Sequence, residues 1–155
     1  MGIEIEKKFL ITELPDDIDR YSYHIIEQAY LVTSPVIRVR REDEEYYMTY
    51  KGAGKDDTAL AHTEYNLPLT KEAYDTLKSK ADGNIITKKR VLIPYEKYTI
   101  ELDIFDPPFA PLVVAEVEFE SIEEADSFVA PDWFKEEVTG KREYSNSYMS
   151  RQIFE

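Results

Sequence analysis

Apolar and polar residues alternate with a period of two through most of this chain, the spacing of β-strands with unlike faces. The clearest run, residues 3 to 11, reads Ile-Glu-Ile-Glu-Lys-Lys-Phe-Leu-Ile. It puts Ile3, Ile5 and Phe9 on one face and Glu4, Glu6 and Lys8 on the other. Comparable β-rich segments cover 28–33, 36–41, 45–51, 63–69, 85–93, 97–105 and 112–120, eight candidate strands that predict a barrel or a sandwich. Turn signals divide them at Thr33-Ser34-Pro35, Asp82-Gly83-Asn84 and Asp106-Pro107-Pro108. Helical spacing replaces the alternation from Thr70 to Ala81, where a Thr cap precedes Ala73, Leu77 and Ala81. A second helix is predicted from Ser121 to Val129, with Glu123 and Glu124 at its start and Pro131 beyond it, and a third over Tyr144 to Ile153.

The polar faces do not mix their charges. Arg38 and Arg40 share one strand face, Lys51 ends the next strand, and Lys88 and Arg90 are in step on a third. The sign then inverts: Glu101 and Asp103 are in step, as are Glu116, Glu118 and Glu120. A solvated face ordinarily intersperses the two signs, so segregation by strand predicts two opposed walls. In a closed sheet the apolar faces pack outward under helices and the charged faces line an interior. Like charges so close repel unless something bridges them. A divalent cation between the acids and a polyphosphate among the Arg and Lys side chains would do so. Carboxylates two residues apart on a strand stand about 6.5–7 Å apart, within reach of one hydrated Mg²⁺ when other strands help.

Composition narrows the field. With 155 residues and 43% hydrophobic content, the chain is expected to form one domain over residues 1–155 with a core that needs no covalent staples. The formal charge of -13 argues against duplex nucleic acid or an anionic membrane as partner. There is no cysteine, which excludes disulfides, thiolate nucleophiles and Cys-ligated zinc and suits a cytoplasmic setting. No apolar run has the length of a membrane span, and the N-terminus lacks the apolar core of a signal peptide. Residues 52–57, Gly-Ala-Gly-Lys-Asp-Asp, read as an exposed hairpin loop. They fail as a phosphate-binding Walker A loop, because the glycine spacing is too short and Asp56 follows Lys55.

Glu4-Ile-Glu6-Lys-Lys8 resembles the Glu-x-Glu-x-Lys signature of the CYTH family, the triphosphate tunnel metalloenzymes. Further blocks resemble that family in its order: Gln28-Ala-Tyr30-Leu31, Ile37-Arg38-Val39-Arg40, Tyr50-Lys51-Gly52, Lys88-Lys-Arg90, Glu101-Leu-Asp103, Ala115-Glu116-Val117-Glu118, and Glu137-Val138-Thr139 through Tyr144-Ser145-Asn146. The resemblance implies an α+β, β-dominated fold, an eight-stranded antiparallel closed barrel forming a tunnel, with a few helices packed outside. It implies Mg²⁺ or Mn²⁺ on Glu4, Glu6, Asp103, Glu116 and Glu118, and a triphosphate on Lys8, Arg38, Arg40, Lys51, Lys88, Arg90 and Lys141. Glu4, Glu6, Lys8 and Glu64 are the implied catalytic set. The central block departs from the family: where several alternating glutamates are usual, this chain reads His62-Thr-Glu64-Tyr-Asn66 and keeps only Glu64.

Family substrates include inorganic tripolyphosphate, ATP and thiamine triphosphate, and one branch cyclises ATP. A metal-dependent triphosphatase acting on tripolyphosphate is therefore the leading expectation, as a monomer or a homodimer. The alternatives are an adenylate cyclase, for which the chain shows no base-recognition motif, and a non-catalytic module that binds polyphosphate or nucleotide. His24 and His62 have no Ser-Asp constellation beside them and read as ordinary polar positions. The tyrosines among the strands, such as Tyr46, Tyr47 and Tyr98, read as packing residues rather than as a base-stacking platform.

Overall fold

The computed structural model describes residues 2–52, 58 and 60–154. Apart from Gly52, the predicted loop at 52–57 lies outside them. Nine strands form one antiparallel sheet: β1 (Gly2–Ile11), β2 (Tyr23–Thr33), β3 (Val36–Glu42), β4 (Glu45–Lys51), β5 (Ala61–Pro68), β6 (Ile86–Tyr95), β7 (Tyr98–Phe105), β8 (Val113–Phe119) and β9 (Phe134–Glu137). The order is β5-β4-β3-β2-β6-β7-β8-β1-β9, and a β1–β5 pairing closes the first eight into a barrel. Strand β1 makes that closure in two halves. Residues Gly2 to Ile5 pair with β5, and Ile5 to Phe9 pair with β8.

Every predicted strand is present, with two departures. Strand β2 begins at Tyr23 rather than 28, because the adjacent Ile25 and Ile26 mask the alternation. Ile26 is fully buried, whereas Ile25, on the opposite face, is 47% exposed. Strand β9 was not predicted. Its four residues, Phe-Lys-Glu-Glu, are too few to show a period, and it exists by pairing with β1 beyond an irregularity at Phe9 to Ile11.

Three helices pack on this frame. Helix α1 (Lys71–Lys78) is capped by Thr70, whose side chain accepts from Ala73 N, and buries Tyr74 against Ala29 and Val39 on the outside of the sheet. Helix α2 (Ile122–Ser127) is capped by Ser121 as expected and stops short of Val129. Phe128 leaves the helix and packs against the rings of Phe9, Tyr98, Phe119 and Phe134. Helix α3 (Asn146–Arg151) starts two residues later than predicted, since Ser145 is its cap and a single 3₁₀ turn, Arg142–Tyr144, precedes it. No helix among the described residues is long and apolar enough to cross a membrane.

One end of the barrel changes character. Tyr30, Ile86, Phe105 and Val114 continue the inward-facing rows of Gln28, Lys88, Asp103 and Glu116, but they are aromatic or aliphatic and cluster with Met149 of α3. The helix is tied there by the turn ahead of β6. Asn84 N donates to Ser150 O at 2.6 Å, and Asn84 Nδ2 donates to Met149 O and Gln152 O. Gly83, at φ +83°, approaches α3 so closely that a Cβ would run into the Ser150 carbonyl oxygen.

Candidate active site

Inside the barrel, cross-strand register brings acids together. Glu6 of β1 lies directly opposite Glu118 of β8, Lys8 lies opposite Glu116, and Glu4 is two residues along the same face. Carboxylate oxygens of Glu4, Glu6 and Glu118 all fall within 4.8 Å of one another. Burial, with Glu116 and Glu4 nearby, pushes the Glu6 carboxyl up to about 8. Burial and the charges of Glu4 and Glu64 raise Glu118. Burial also pushes Glu4 upward, but Lys51 outweighs it and holds that carboxyl below its ordinary value. Lys51 Nζ stands 2.9 Å from Glu4 Oε1 and 3.8 Å from Glu64 Oε1. Glu4 Oε1 is itself buried, with Lys51 its nearest cation.

Beside Lys8 of β1 and Lys51 of β4, four further cations come from β3 and β6. Arg40 donates through Nε and Nη2 to Gln28 Oε1, at 2.9 and 2.7 Å, and through Nη1 to the Tyr47 hydroxyl at 3.2 Å. Arg38 reaches the Tyr30 hydroxyl at 3.5 Å from Nη1, and its buried Nε has no hydrogen-bond partner. On β6 the cations are already engaged. Lys88 Nζ donates to Asp103 Oδ2 at 2.7 Å. Arg90 donates to both Asp103 oxygens at 2.7 and 3.0 Å, to Glu116 at 2.9 Å and to Glu101 at 3.5 Å. Burial lowers Lys88 to about 8 despite the Asp103 charge. Arg90 and Lys8 outweigh burial at Glu116 and hold it well below the usual carboxylate range.

Every predicted site residue except Asp103 lines a single cavity of about 690 Å³. Asp103 is fully buried and satisfied by Lys88 and Arg90. Its neighbour in step, Glu101, lines the cavity instead, with its carboxyl pushed up to about 7 by burial in spite of Arg90. Lys141 lines the cavity too, but its Nζ is held 3.0 Å from Glu136. The site also has uncharged members, to which charge patterning assigns no role. Tyr30 and Tyr47 turn their hydroxyls onto arginines, and Gln28 and Asn146 join the hydrogen-bonded network of Arg40 and Lys88. The inward parity of Gln28 and Tyr30 on β2 and of Tyr47 on β4 follows from the sequence, whereas Asn146 lies on α3 and has no such parity, and the partners of all four are set by the fold.

The geometry suits a hard divalent cation on one side and an anion on the other. Three clustered carboxylates supply oxygen ligands, the donor type such ions prefer. An unpaired guanidinium donor is an unmet demand for an acceptor.

Comparison with known proteins agrees with this chemistry. An inorganic triphosphatase of Nitrosomonas europaea is 34% identical over 97% of this chain and 98% of its own. One of Acetivibrio thermocellus is 32% identical over 99% and 97%. A crystal structure of an inorganic triphosphatase superposes with a TM-score of 0.71 at 31% identity, covering 99% of this chain and 97% of the other. A candidate adenylate cyclase of Bacillus halodurans, 17% identical with a TM-score of 0.59 over 100% of this chain and 96% of its own, shares the fold alone. The CYTH domain model matches residues 2–153, so the chain belongs to the CYTH domain family.

Proposed function

We propose that this protein is a divalent-metal-dependent triphosphatase that splits inorganic tripolyphosphate into diphosphate and orthophosphate within the barrel. The observation that carries the proposal is the pairing, in one cavity, of the Glu4, Glu6 and Glu118 cluster with the unsatisfied Arg38. Relatives 34% and 32% identical over nearly their whole length bear the name inorganic triphosphatase.

Phosphoryl transfer asks the protein mainly for positioning and charge neutralisation. A Mg²⁺ or Mn²⁺ ion held by Glu4, Glu6 and Glu118 would neutralise phosphate charge and make water more acidic. Arg38, with Nε free, and Lys8, which among the described residues has no ion-pair partner, supply donors not yet committed to protein acceptors. Arg40 arrives pre-oriented, since Gln28 and Tyr47 fix its plane before substrate enters. Lys88 and Arg90 would take up charge on the leaving diphosphate, and their hydrogen bonds to Asp103 support this by holding both side chains in position before substrate enters. Lys51 keeps Glu4 ionised, and an ionised carboxylate is the form that binds metal. A cytoplasmic setting belongs to the same proposal, supported by the cysteine-free composition.

The test is product analysis with tripolyphosphate and ATP, each with Mg²⁺, with Mn²⁺ and with chelator. Orthophosphate released from tripolyphosphate only when metal is present is the expected result. Cyclic AMP and diphosphate from ATP would move the site to a cyclase, and tight triphosphate binding without turnover would leave only a binding module.

A further inference from the structure

The C-terminal helix touches the cation wall at one side chain. Gln28 Oε1 accepts two hydrogen bonds from Arg40, which fixes the Gln28 amide with its Nε2 toward α3. That Nε2 donates to Asn146 Oδ1 at 2.5 Å, and Lys88 Nζ donates to the same oxygen at 3.0 Å. Both neighbours are donors, and Lys88 can be nothing else, so the orientation of the Asn146 amide is settled: oxygen toward Gln28 and Lys88, nitrogen away from them.

Among the described residues that nitrogen makes no hydrogen bond, and it is not one of the buried side-chain atoms left without a partner. Asn146 lines the cavity. Its two N–H donors are therefore left for a partner from outside the protein, on a residue that lines the cavity beside Lys88. The mounting is rigid, because α3 is seated by Met149 in the apolar end of the barrel and by the Gly83-Asn84 turn.

We propose that Asn146 contacts the substrate, donating a neutral hydrogen bond from Nδ2 to a phosphate oxygen. A phosphate chain, which offers acceptors only, fits donors placed this way; a cation does not, because the one oxygen of the amide is already occupied. The inference rests on the triphosphate reading of the cavity and adds a donor that charge patterning does not reveal.

The experiment uses the full chain, ¹⁵N-labelled, with Mg²⁺ and an imido-bridged, non-hydrolysable tripolyphosphate. Affinity is read by calorimetry, and side-chain amide resonances by NMR, with the Asn146 pair assigned by its absence in Asn146→Asp. On saturation the Asn146 Nδ2 protons are expected to move downfield. Asn146→Ala and Asn146→Asp should both bind the analogue about tenfold more weakly or worse, the scale of one lost hydrogen bond to a charged group. Asn146→Asp retains an acceptor for Gln28 and Lys88, so its melting temperature should match that of the wild type. Wild-type binding with the Asn146 pair unmoved overturns this inference and leaves the triphosphate reading standing. Absence of wild-type binding overturns the triphosphate reading, and this inference with it.

Discussion

Around Asp103, on the β6–β7–β8 side of the tunnel, opposite charges meet at 2.7–3.0 Å: Lys88 and Arg90 share Asp103, and Arg90 also holds Glu116. Along β1 and β3 the same residue types are left differently. Glu4, Glu6 and Glu118 crowd one another, and Arg38 keeps a buried donor with no acceptor. The first arrangement is complete without a ligand, and the second is not. A buried ion network of the first kind stabilises the fold only while every member is present. Clustered like charges of the second kind cost stability, a cost that binding of an ion of opposite charge would relieve. Pairing thus separates the half of the tunnel whose charges are already met within the protein from the half whose charges are not.

The largest expected effect breaks the paired half. Asp103→Ala leaves Lys88 and Arg90 buried without their shared acceptor and should cost about 3–5 kcal/mol of unfolding free energy, measured by denaturant titration. Turnover should fall as well, since both cations lose their orientation. A variant as stable as the wild type would show that Asp103 is not a scaffold residue.

The unpaired half should respond in the opposite sense. Glu6→Gln removes a ligand from the acid cluster and one like charge from a buried site. Metal-dependent hydrolysis of tripolyphosphate should drop about 100-fold or more, the scale of losing one charge-stabilising group, with a melting temperature no lower than the wild type's. Glu4→Gln should lose activity similarly, while also freeing Lys51 from its nearest carboxylate. Unimpaired turnover in either variant would refute the assignment of this cluster to the metal.

Arg38→Lys makes a smaller, sharper test. Lys carries the charge but not the planar fork that aims Nε. The variant should therefore raise KM about tenfold. Arg40→Lys, by contrast, breaks the paired bonds to Gln28 Oε1 and should lower stability as well as affinity.

The sequence made the walls legible because charge and parity are both written in it. Arg38 and Arg40, or Glu116 and Glu118, face one way at a spacing of two whatever the fold around them. Register is not written there. Whether Glu6 would meet Glu118 or a lysine depends on how β1 slides against β8, and a shift of one residue would have turned the face outward. Hence Asp103 and Glu101 exchanged places: both are acidic and in step, but only the pairing of β7 with β6 sets Asp103 opposite Arg90 and Glu101 opposite Leu92. Gln28 and Asn146 carry no charge and left no patterning signal, although 118 residues of chain separate two side chains that meet at 2.5 Å. Strand β9 escaped for a related reason: it is stabilised by pairing and by Phe134 in the aromatic cluster, not by an alternation of its own.

Outside the barrel the comparison has a counterpart that titrates. Glu27, on the outer face of β2, accepts from Tyr74 Oη at 2.7 Å and from Lys78 Nζ at 2.8 Å, both carried by α1. Burial pushes its carboxyl upward, but the two hydrogen bonds outweigh burial and leave it below the ordinary value of 4.5. A carboxylate lowered in the folded state binds its proton more weakly there than in the unfolded chain. Its contribution is therefore fully present above the unfolded value and disappears as pH falls through the folded one. Glu27→Gln should lower stability by about 1 kcal/mol at pH 7, the scale of a hydrogen-bonded, partly exposed ion pair. The gap between wild type and variant should narrow as pH drops below about 4.5. Because Glu27 contributes nothing to the cavity, hydrolysis at neutral pH should be unchanged in this variant. A constant gap from pH 7 to pH 3 would mean that Glu27 holds α1 by packing rather than by charge.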